Sequence, residues 1–282
     1  MNFTTYKKHF HLWIPLLILT GCRSPQPAPL AEPGGSPVPL SRAHAHNDYL
    51  HSRPLYDALD HGFTSVEADI FLEGSELLVA HYSVDLQPSH TLQSLYLDPL
   101  RQRIKHNGGG VYRDSPQFTL LIDIKSEAEA TYKALRKVLQ TYADILVTYD
   151  TGGDRTGPIA VIISGNRPRK TMESETIHYA TYDGRLEDLG TGAPADFIPL
   201  ISDRWGAFFS WDGEGAMPED EREQLRSIVA AAHAEGRRVR FWATPDEPGE
   251  AREAVWRELV AAGVDLINTD DLAGLQRFLL DQ

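Results

Sequence analysis

Only one cysteine, Cys22, occurs in 282 residues, so the chain can form no internal disulfide and offers no thiolate cluster for a structural zinc. Basic residues are scarce too. The 27 Lys and Arg stand against 40 Asp and Glu, a formal charge of −13, which makes general attraction to a nucleic-acid backbone or an anionic lipid surface a poor prospect. Any anion held here needs local compensation. Long apolar runs are missing: the stretch from Leu12 to Leu19 is too short to span a bilayer comfortably. No internal repeat and no second domain are evident.

What the N-terminus does have is order. Lys7 and Lys8 precede the apolar run, and the small residues Thr20 and Gly21 precede Cys22, which is the grammar of an export signal. Leu19-Thr20-Gly21-Cys22 resembles the processing box of bacterial lipoproteins, in which the cysteine carries the lipid. The expectation is a signal peptide over residues 1–21 and a lipid on Cys22, placing the protein in the bacterial cell envelope with its membrane contact through that lipid. Pro25, Pro27, Pro29, Pro33, Pro37 and Pro39 make residues 22–40 an extended tether.

From residue 41 to 282, β-rich runs alternate with amphipathic segments. The expected strands are Arg42 to His46, Thr64 to Phe71, Phe118 to Ile124, Ile159 to Ser164, Ile177 to Tyr182, Phe197 to Ser202, Arg238 to Trp242 and Asp265 to Asn268. Helices are expected over Glu127 to Tyr142, Pro218 to Glu235, Glu250 to Ala262 and Asp271 to Leu280, with Gly236 and Gly263 as stop signals. Repeated strand-helix units in one domain predict the α/β class and a single (β/α)₈ TIM barrel. An extra strand from Glu76 to Ala80 is expected to fold back after the turn at Glu73-Gly74.

In such barrels the strand ends face the catalytic mouth. Strand one ends in Ala43-His44-Ala45-His46-Asn47-Asp48-Tyr49, and strand two carries Glu67-Ala68-Asp69 with both carboxylates on one face. Strand three adds Asp123 and Lys125, again two apart. Buried like charges repel, so three inward carboxylates call for a cation, and an oxygen donor set suits Mg²⁺ or Ca²⁺. His46 and His81 supply two imidazoles able to exchange protons near neutral pH. A base, an acid and positive charge are what cleavage of a phosphodiester requires.

The runs HAHND, EAD, VAH and LLIDIKS resemble the phosphatidylinositol-specific phospholipase C-like phosphodiesterase superfamily, which includes glycerophosphodiester phosphodiesterases and sphingomyelinase D enzymes. HAHNDY together with ISGNRP (163–168) most resembles the subgroup of the fungal altered inheritance of mitochondria protein 6. The resemblance implies the TIM barrel, one divalent cation on Glu67, Asp69 and Asp123, acid/base work by His46 and His81, and phosphate contact by Lys125. It implies a glycerophosphodiester or phospholipid-type substrate. Two departures bear on that substrate: Asn47 stands where an arginine is usual, and Tyr82 follows His81 where an aspartate is usual.

Asn166, Arg167, Trp242 and Asn268 also fall on the mouth side and are expected to help bind substrate, Arg167 replacing the charge missing at Asn47. Trp211 is open between pocket and loop packing. The chain is expected to be a monomer that binds no nucleic acid. Two other readings use the same barrel. One is an amidohydrolase-type metal hydrolase, with His44 and His46 as ligands and Asp270 in support, against which His178 lies at the start of its strand and strand six has no histidine. The other is a non-catalytic binding lipoprotein.

Overall fold

Eight strands close into the expected barrel. The structure is a computed structural model that describes residues 37–113, 117–150 and 157–282. The parallel strands are β1 (Leu40–Ala45), β2 (Phe63–Glu73), β3 (Phe118–Ile124), β4 (Ile159–Gly165), β5 (Thr181–Gly184), β6 (Leu200–Arg204), β7 (Arg238–Trp242) and β8 (Leu266–Thr269). Each pairs with the next, and β1 pairs with both β8 and β2, which closes the ring. Helices α1 (Tyr56–Asp60), α2 (Asp98–Asn107), α3 (Ala128–Gln140), α4 (Arg169–Glu173), α5 (Trp205–Phe208), α6 (Glu219–Ala234), α7 (Glu250–Ala262) and α8 (Leu272–Leu280) connect them.

Local chemistry sets the helix ends. The Glu127 side chain accepts from the backbone amides of Glu129 and Ala130 at 3.0 and 2.8 Å and caps α3. Gly263 ends α7 in the left-handed region, at φ 87°. Strand β3 is buried along nearly its whole length, as a parallel strand covered on both faces must be.

Inside the ring, Leu121, Ile162, Leu200 and Leu266 form their own apolar layer, a plug across the barrel. Alternation places Asp123, Ser164, Ser202 and Asn268 one layer higher on the same four strands. Polar chemistry therefore begins directly above the plug, at the C-terminal ends of the strands. Between barrel and helices lies the larger core, with Trp256, Tyr132, Phe118 and Phe241 among its fully buried side chains.

Most expected strands recur within a few residues, and the fifth is the correction. Ile177–His178 instead pairs antiparallel with Tyr149–Asp150, outside the barrel, and the barrel strand is Thr181–Gly184. Its sequence hides it because its inward residue is the acid Asp183. That carboxylate is buried because the Ser164 and Ser202 hydroxyls donate to it at 2.7 and 2.8 Å and Arg185 pairs with it at 2.9 Å. Helix α2 went unread because only Leu100 and Ile104 of its ten residues are buried, too few to draw a stripe. No helix among the described residues is long and apolar enough to cross a membrane. The expected signal peptide and the lipid site at Cys22 lie outside the described residues.

The first loop rests on a buried acid. Asp48 Oδ2 accepts from the Leu55 amide at 2.6 Å and from the Tyr96 hydroxyl at 2.9 Å. Burial pushes its carboxyl from the ordinary aspartate range up to about 7. The proton-bound form thus favours the fold fully below pH ~4, and that contribution is lost as pH rises through about 7. In urea titrations from pH 4 to 8, the native chain should lose stability relative to Asp48→Asn across this window. Parallel curves would rule the assignment out.

Candidate active site

The long strand β2 carries the centre of the site. Glu67 and Asp69 point inward and are both buried. Past the barrel rim β2 turns at Gly74 and returns as Glu76–Val79, paired antiparallel with Ile70 opposite Val79. That return brings His81 back to Asp69, with its Nδ1 at 3.1 Å from Asp69 Oδ2. Asp123 on β3 lies opposite Asp69, and one oxygen from each of Glu67, Asp69 and Asp123 lies within 4.8 Å of the others. The three sequence-predicted carboxylates thus come together.

Two cations sit among them. Lys125 Nζ lies 3.0 Å from Asp69 Oδ2 and 3.2 Å from Asp123 Oδ2. Arg240, on β7, lies 3.0 Å from Glu67 Oε2 and 2.7 Å from His44 Nε2. Three carboxylates against two cations leave the cluster one negative charge. Burial and the charge of Glu67 push the Asp69 carboxyl up to about 7, and burial also raises Asp123. Burial opposes ionisation of Glu67 as well, but His44 and Arg240 hold its carboxyl well below the usual range. Asp69 Oδ1 and Asp123 Oδ1 are buried with no hydrogen-bond partner. Buried carboxylate oxygens without partners, in three acids that each bring one oxygen within 4.8 Å of the others, are donors for a hard cation, so the residues present fit a divalent metal ion.

Each candidate catalytic histidine has Nδ1 engaged by protein. His46 Nδ1 donates to Asp270 Oδ1 at 2.7 Å, and His81 Nδ1 lies 2.9 Å from the Tyr49 hydroxyl oxygen. Among the described residues, neither Nε2 makes a hydrogen bond, which leaves that atom for substrate. Burial disfavours the His46 imidazolium, but the bond to Asp270 and its charge raise the net pKa above the ordinary histidine value. Tyr49 ties the two arms together. Its hydroxyl donates to Asp69 Oδ2 at 2.6 Å, with Asn47 Oδ1 at 2.8 Å. The Asn47 amide nitrogen donates to Asp270 Oδ1 and Oδ2, each at 3.3 Å, so both of its ends are engaged by protein. Asn47 adopts φ 48°, a left-handed conformation that asparagine tolerates well. It staples the first loop, its amide bound to protein groups on both sides.

The remaining expected binding residues separate. Asn166 Nδ2 donates to the carbonyls of Lys125 and Ser126 at 3.3 and 3.0 Å and fixes the loop that carries Lys125. The Arg167 guanidinium lies 4.5 Å from the Tyr182 ring centroid and donates to the Gly165 carbonyl, which folds it back onto the barrel. Asn268 is buried under the mouth and accepts from Arg240 at 3.3 Å, so it acts within the barrel and not at its rim. Trp242 is half-buried at the end of β7. Trp211 is loop packing: its indole donates to the Glu214 carbonyl and its own carbonyl accepts from Trp205.

His44 does not join His46 on a metal. Its Nδ1 bonds Ser65 Oγ at 2.7 Å and its Nε2 faces Arg240, and full burial next to that guanidinium drops its pKa to about 4. A neutral ring donating to Ser65 and accepting from Arg240 uses both nitrogens. His178 belongs to the outer ladder and Asp270 to His46, so the amidohydrolase ligand set is not assembled. Tyr49, Arg240 and the partnership of Asp270 with His46 were missed in the sequence. Arg240 had one available signal, a basic residue in the inward register of a buried strand.

Residues 36–183 match the model of the AIM6-like phosphodiesterase domain, and residues 238–273 match that of the glycerophosphoryl diester phosphodiesterase family. Altered inheritance of mitochondria protein 6 of Eremothecium gossypii is 32% identical over 278 residues, covering 85% of this chain and 69% of the relative. Its homolog in Arthroderma benhamiae is 32% identical over 262 residues, covering 84% and 82%. A crystal structure of a glycerophosphoryl diester phosphodiesterase from Parabacteroides distasonis superposes with a TM-score of 0.50 at 13% identity, covering 89% of this chain and 88% of that one. That likeness supports the barrel fold. The two curated relatives are fungal, and they overturn the expectation of a bacterial cell-envelope lipoprotein, pointing to a eukaryotic protein.

Proposed function

Since the chain belongs to the AIM6-like phosphodiesterase family, we propose that it is a metal-dependent phosphodiester hydrolase acting on a glycerophosphodiester or phospholipid-type substrate. The observation that carries this reading is the pair of orphaned oxygens, Asp69 Oδ1 and Asp123 Oδ1, in a three-carboxylate cluster accompanied by two histidines whose Nδ1 atoms are already engaged. Glu67, Asp69 and Asp123 would hold Mg²⁺ or Ca²⁺, given their all-oxygen donor set. Such an ion supplies Lewis-acid polarisation of a phosphoryl oxygen. With all three carboxylates ionised the inner cluster has one uncompensated negative charge, so a divalent ion and a phosphodiester monoanion together bring it to neutrality.

His46 is the general base. Asp270 holds its Nδ1–H and stabilises the imidazolium that forms when Nε2 takes the proton of the attacking oxygen. His81, positioned by Tyr49, returns a proton to the leaving oxygen. Lys125 places its ammonium beside the same carboxylates and supplies positive charge to the phosphoryl oxygens.

Gly165 keeps the carboxylates in place. It adopts φ 68°, and a Cβ there would lie 2.0 Å from Asp123 Oδ1 and 2.5 Å from the Ile124 carbonyl oxygen. Gly165→Ala should therefore displace Asp123 and weaken calorimetric binding of Mg²⁺ or Ca²⁺ about tenfold or more, with a stability cost of about 1 kcal/mol or above. Unchanged ion affinity would remove Asp123 from the proposed ligand set.

The rim points to an amphiphile. Leu50, Tyr82 and Val84 are 67%, 62% and 88% exposed, and they sit on the loops that carry His46 and His81. The Tyr82 ring packs edge-on against His81 at 4.5 Å. An apolar chain next to the scissile phosphate would cover these side chains. The test compares lysophospholipids, glycerophosphodiesters and bis(p-nitrophenyl) phosphate as substrates of the native chain and of Leu50→Ser/Val84→Ser. The expected result is a selective loss of kcat/KM for the lysophospholipid. An equal change for all three substrates would set the amphiphile aside, and no turnover of any of them would set aside the activity.

A further inference from the structure

At the opposite end of the barrel the strands begin around a cavity of about 400 Å³, lined by Arg42, Thr64, Thr119, Thr181, Arg238 and Asp265 among others. The plug of Leu121, Ile162, Leu200 and Leu266 lies between this cavity and the carboxylate cluster, so the two share no side chain. The N-terminal end of such a barrel ordinarily serves stability. Here it carries cationic groups that stability does not explain.

Arg238 is the main one. Its guanidinium donates to Thr119 Oγ1 at 3.2 Å, and none of its other N–H groups has a partner among the described residues. Arg42 donates to the Val264 carbonyl and likewise forms no ion pair with a described carboxylate. The single acid in the lining, Asp265, already uses Oδ2 to accept from His233 Nε2 and the Val239 amide, each at 2.8 Å. Burial pulls the Arg238 pKa below the usual arginine value, with the charge of Asp265 opposing the shift. Arg238 is partly exposed, and with one protein acceptor its guanidinium has donors left for an anion in the cavity.

Tyr149 and Thr181 also line an adjoining cavity of about 390 Å³, whose other walls are His178, Ala180, Pro194, Phe197 and the acids Glu173 and Asp196. Pro194 and Phe197 offer an apolar face there, while Glu173 and Asp196 disfavour a second anionic group. We propose that the N-terminal end of the barrel is a second binding site for a small organic anion. The phosphate or carboxylate head would sit on Arg238 and Arg42, and the apolar body would pass Tyr149 toward Phe197.

The test uses the full chain carrying Lys125→Met in the presence of chelator, which weakens anion binding at the catalytic mouth. Phenyl phosphate, benzoate and inorganic phosphate are titrated by calorimetry into this protein and into the same protein with Arg238→Gln or Arg42→Gln. Saturable binding of phenyl phosphate or benzoate is expected, tighter than inorganic phosphate and weakened about tenfold or more by Arg238→Gln. Arg238→Lys should recover part of the affinity, which separates loss of charge from loss of fold, and Arg42→Gln gives a second reading if Arg238→Gln does not fold. Preference between the two organic anions identifies the head group. Binding indifferent to both arginine variants, or no saturable binding at millimolar probe, overturns the proposal.

Discussion

Arg240→Met is expected to lower folding stability by about 3–5 kcal/mol, because it removes one partner of a buried charge pair and leaves the other in place. Arg240 and Glu67 are 4% and 6% exposed at the side chain and 3.0 Å apart. Without the guanidinium, Glu67 keeps only His44, whose ring is neutral near pH 7, and Asn268 loses its donor as well. Urea denaturation reads the loss directly. Two second measurements separate this cause from a packing defect. Glu67→Gln added to Arg240→Met should recover part of the stability, and Mg²⁺ or Ca²⁺ should raise the midpoint of Arg240→Met more than that of the native chain. If neither helps, the charge pair is not what Arg240 contributes.

His46→Ala is expected to lower kcat by roughly 10²–10⁴-fold, the span of one positioned acid or base. The pH profile carries the sharper test. Because Asp270 raises the His46 pKa, the neutral base form becomes dominant only above the ordinary histidine value near ~6.5, so kcat should climb as pH rises past that value. Asp270→Asn removes the raising partner and should move this limb to lower pH while reducing the maximum. A limb that stays in place in Asp270→Asn would assign the titration to a group other than His46.

The barrel was legible because its signals are repetitive. Phe118 to Ile124 reads as an uninterrupted buried strand, and Glu250 to Ala262 shows a clean apolar stripe closed by Gly263. What failed did so where tertiary contacts override local preference. Ile177-His178 looks like a barrel strand and is diverted into an outer ladder, whereas Thr181–Gly184 hides its strand behind a buried aspartate that only Ser164, Ser202 and Arg185 make tolerable.

The site followed the same rule. Glu67 and Asp69, two apart on one strand, had to share a face, and the turn at Gly74 was enough to return His81. The partners that position these groups come from distant strands. Asp270 reaches His46 from β8 and Arg240 reaches Glu67 from β7, separations of 224 and 173 residues. No spacing within one segment announces such pairs. Asn47 shows the converse: its departure from the expected arginine was visible, but its use as a staple between Asp270 and Tyr49 needed the left-handed backbone at that residue.

The most direct test of metal-assisted phosphodiester hydrolysis at this mouth is turnover of bis(p-nitrophenyl) phosphate by the full chain. The assay is run with chelator and then with excess Mg²⁺ or Ca²⁺, for the native protein and for His46→Ala and Asp123→Asn. Turnover by the native protein should vanish with chelator and return with one of the two ions, while His46→Ala and Asp123→Asn stay inactive under both conditions. Turnover that persists in chelator and survives both substitutions would contradict the assignment.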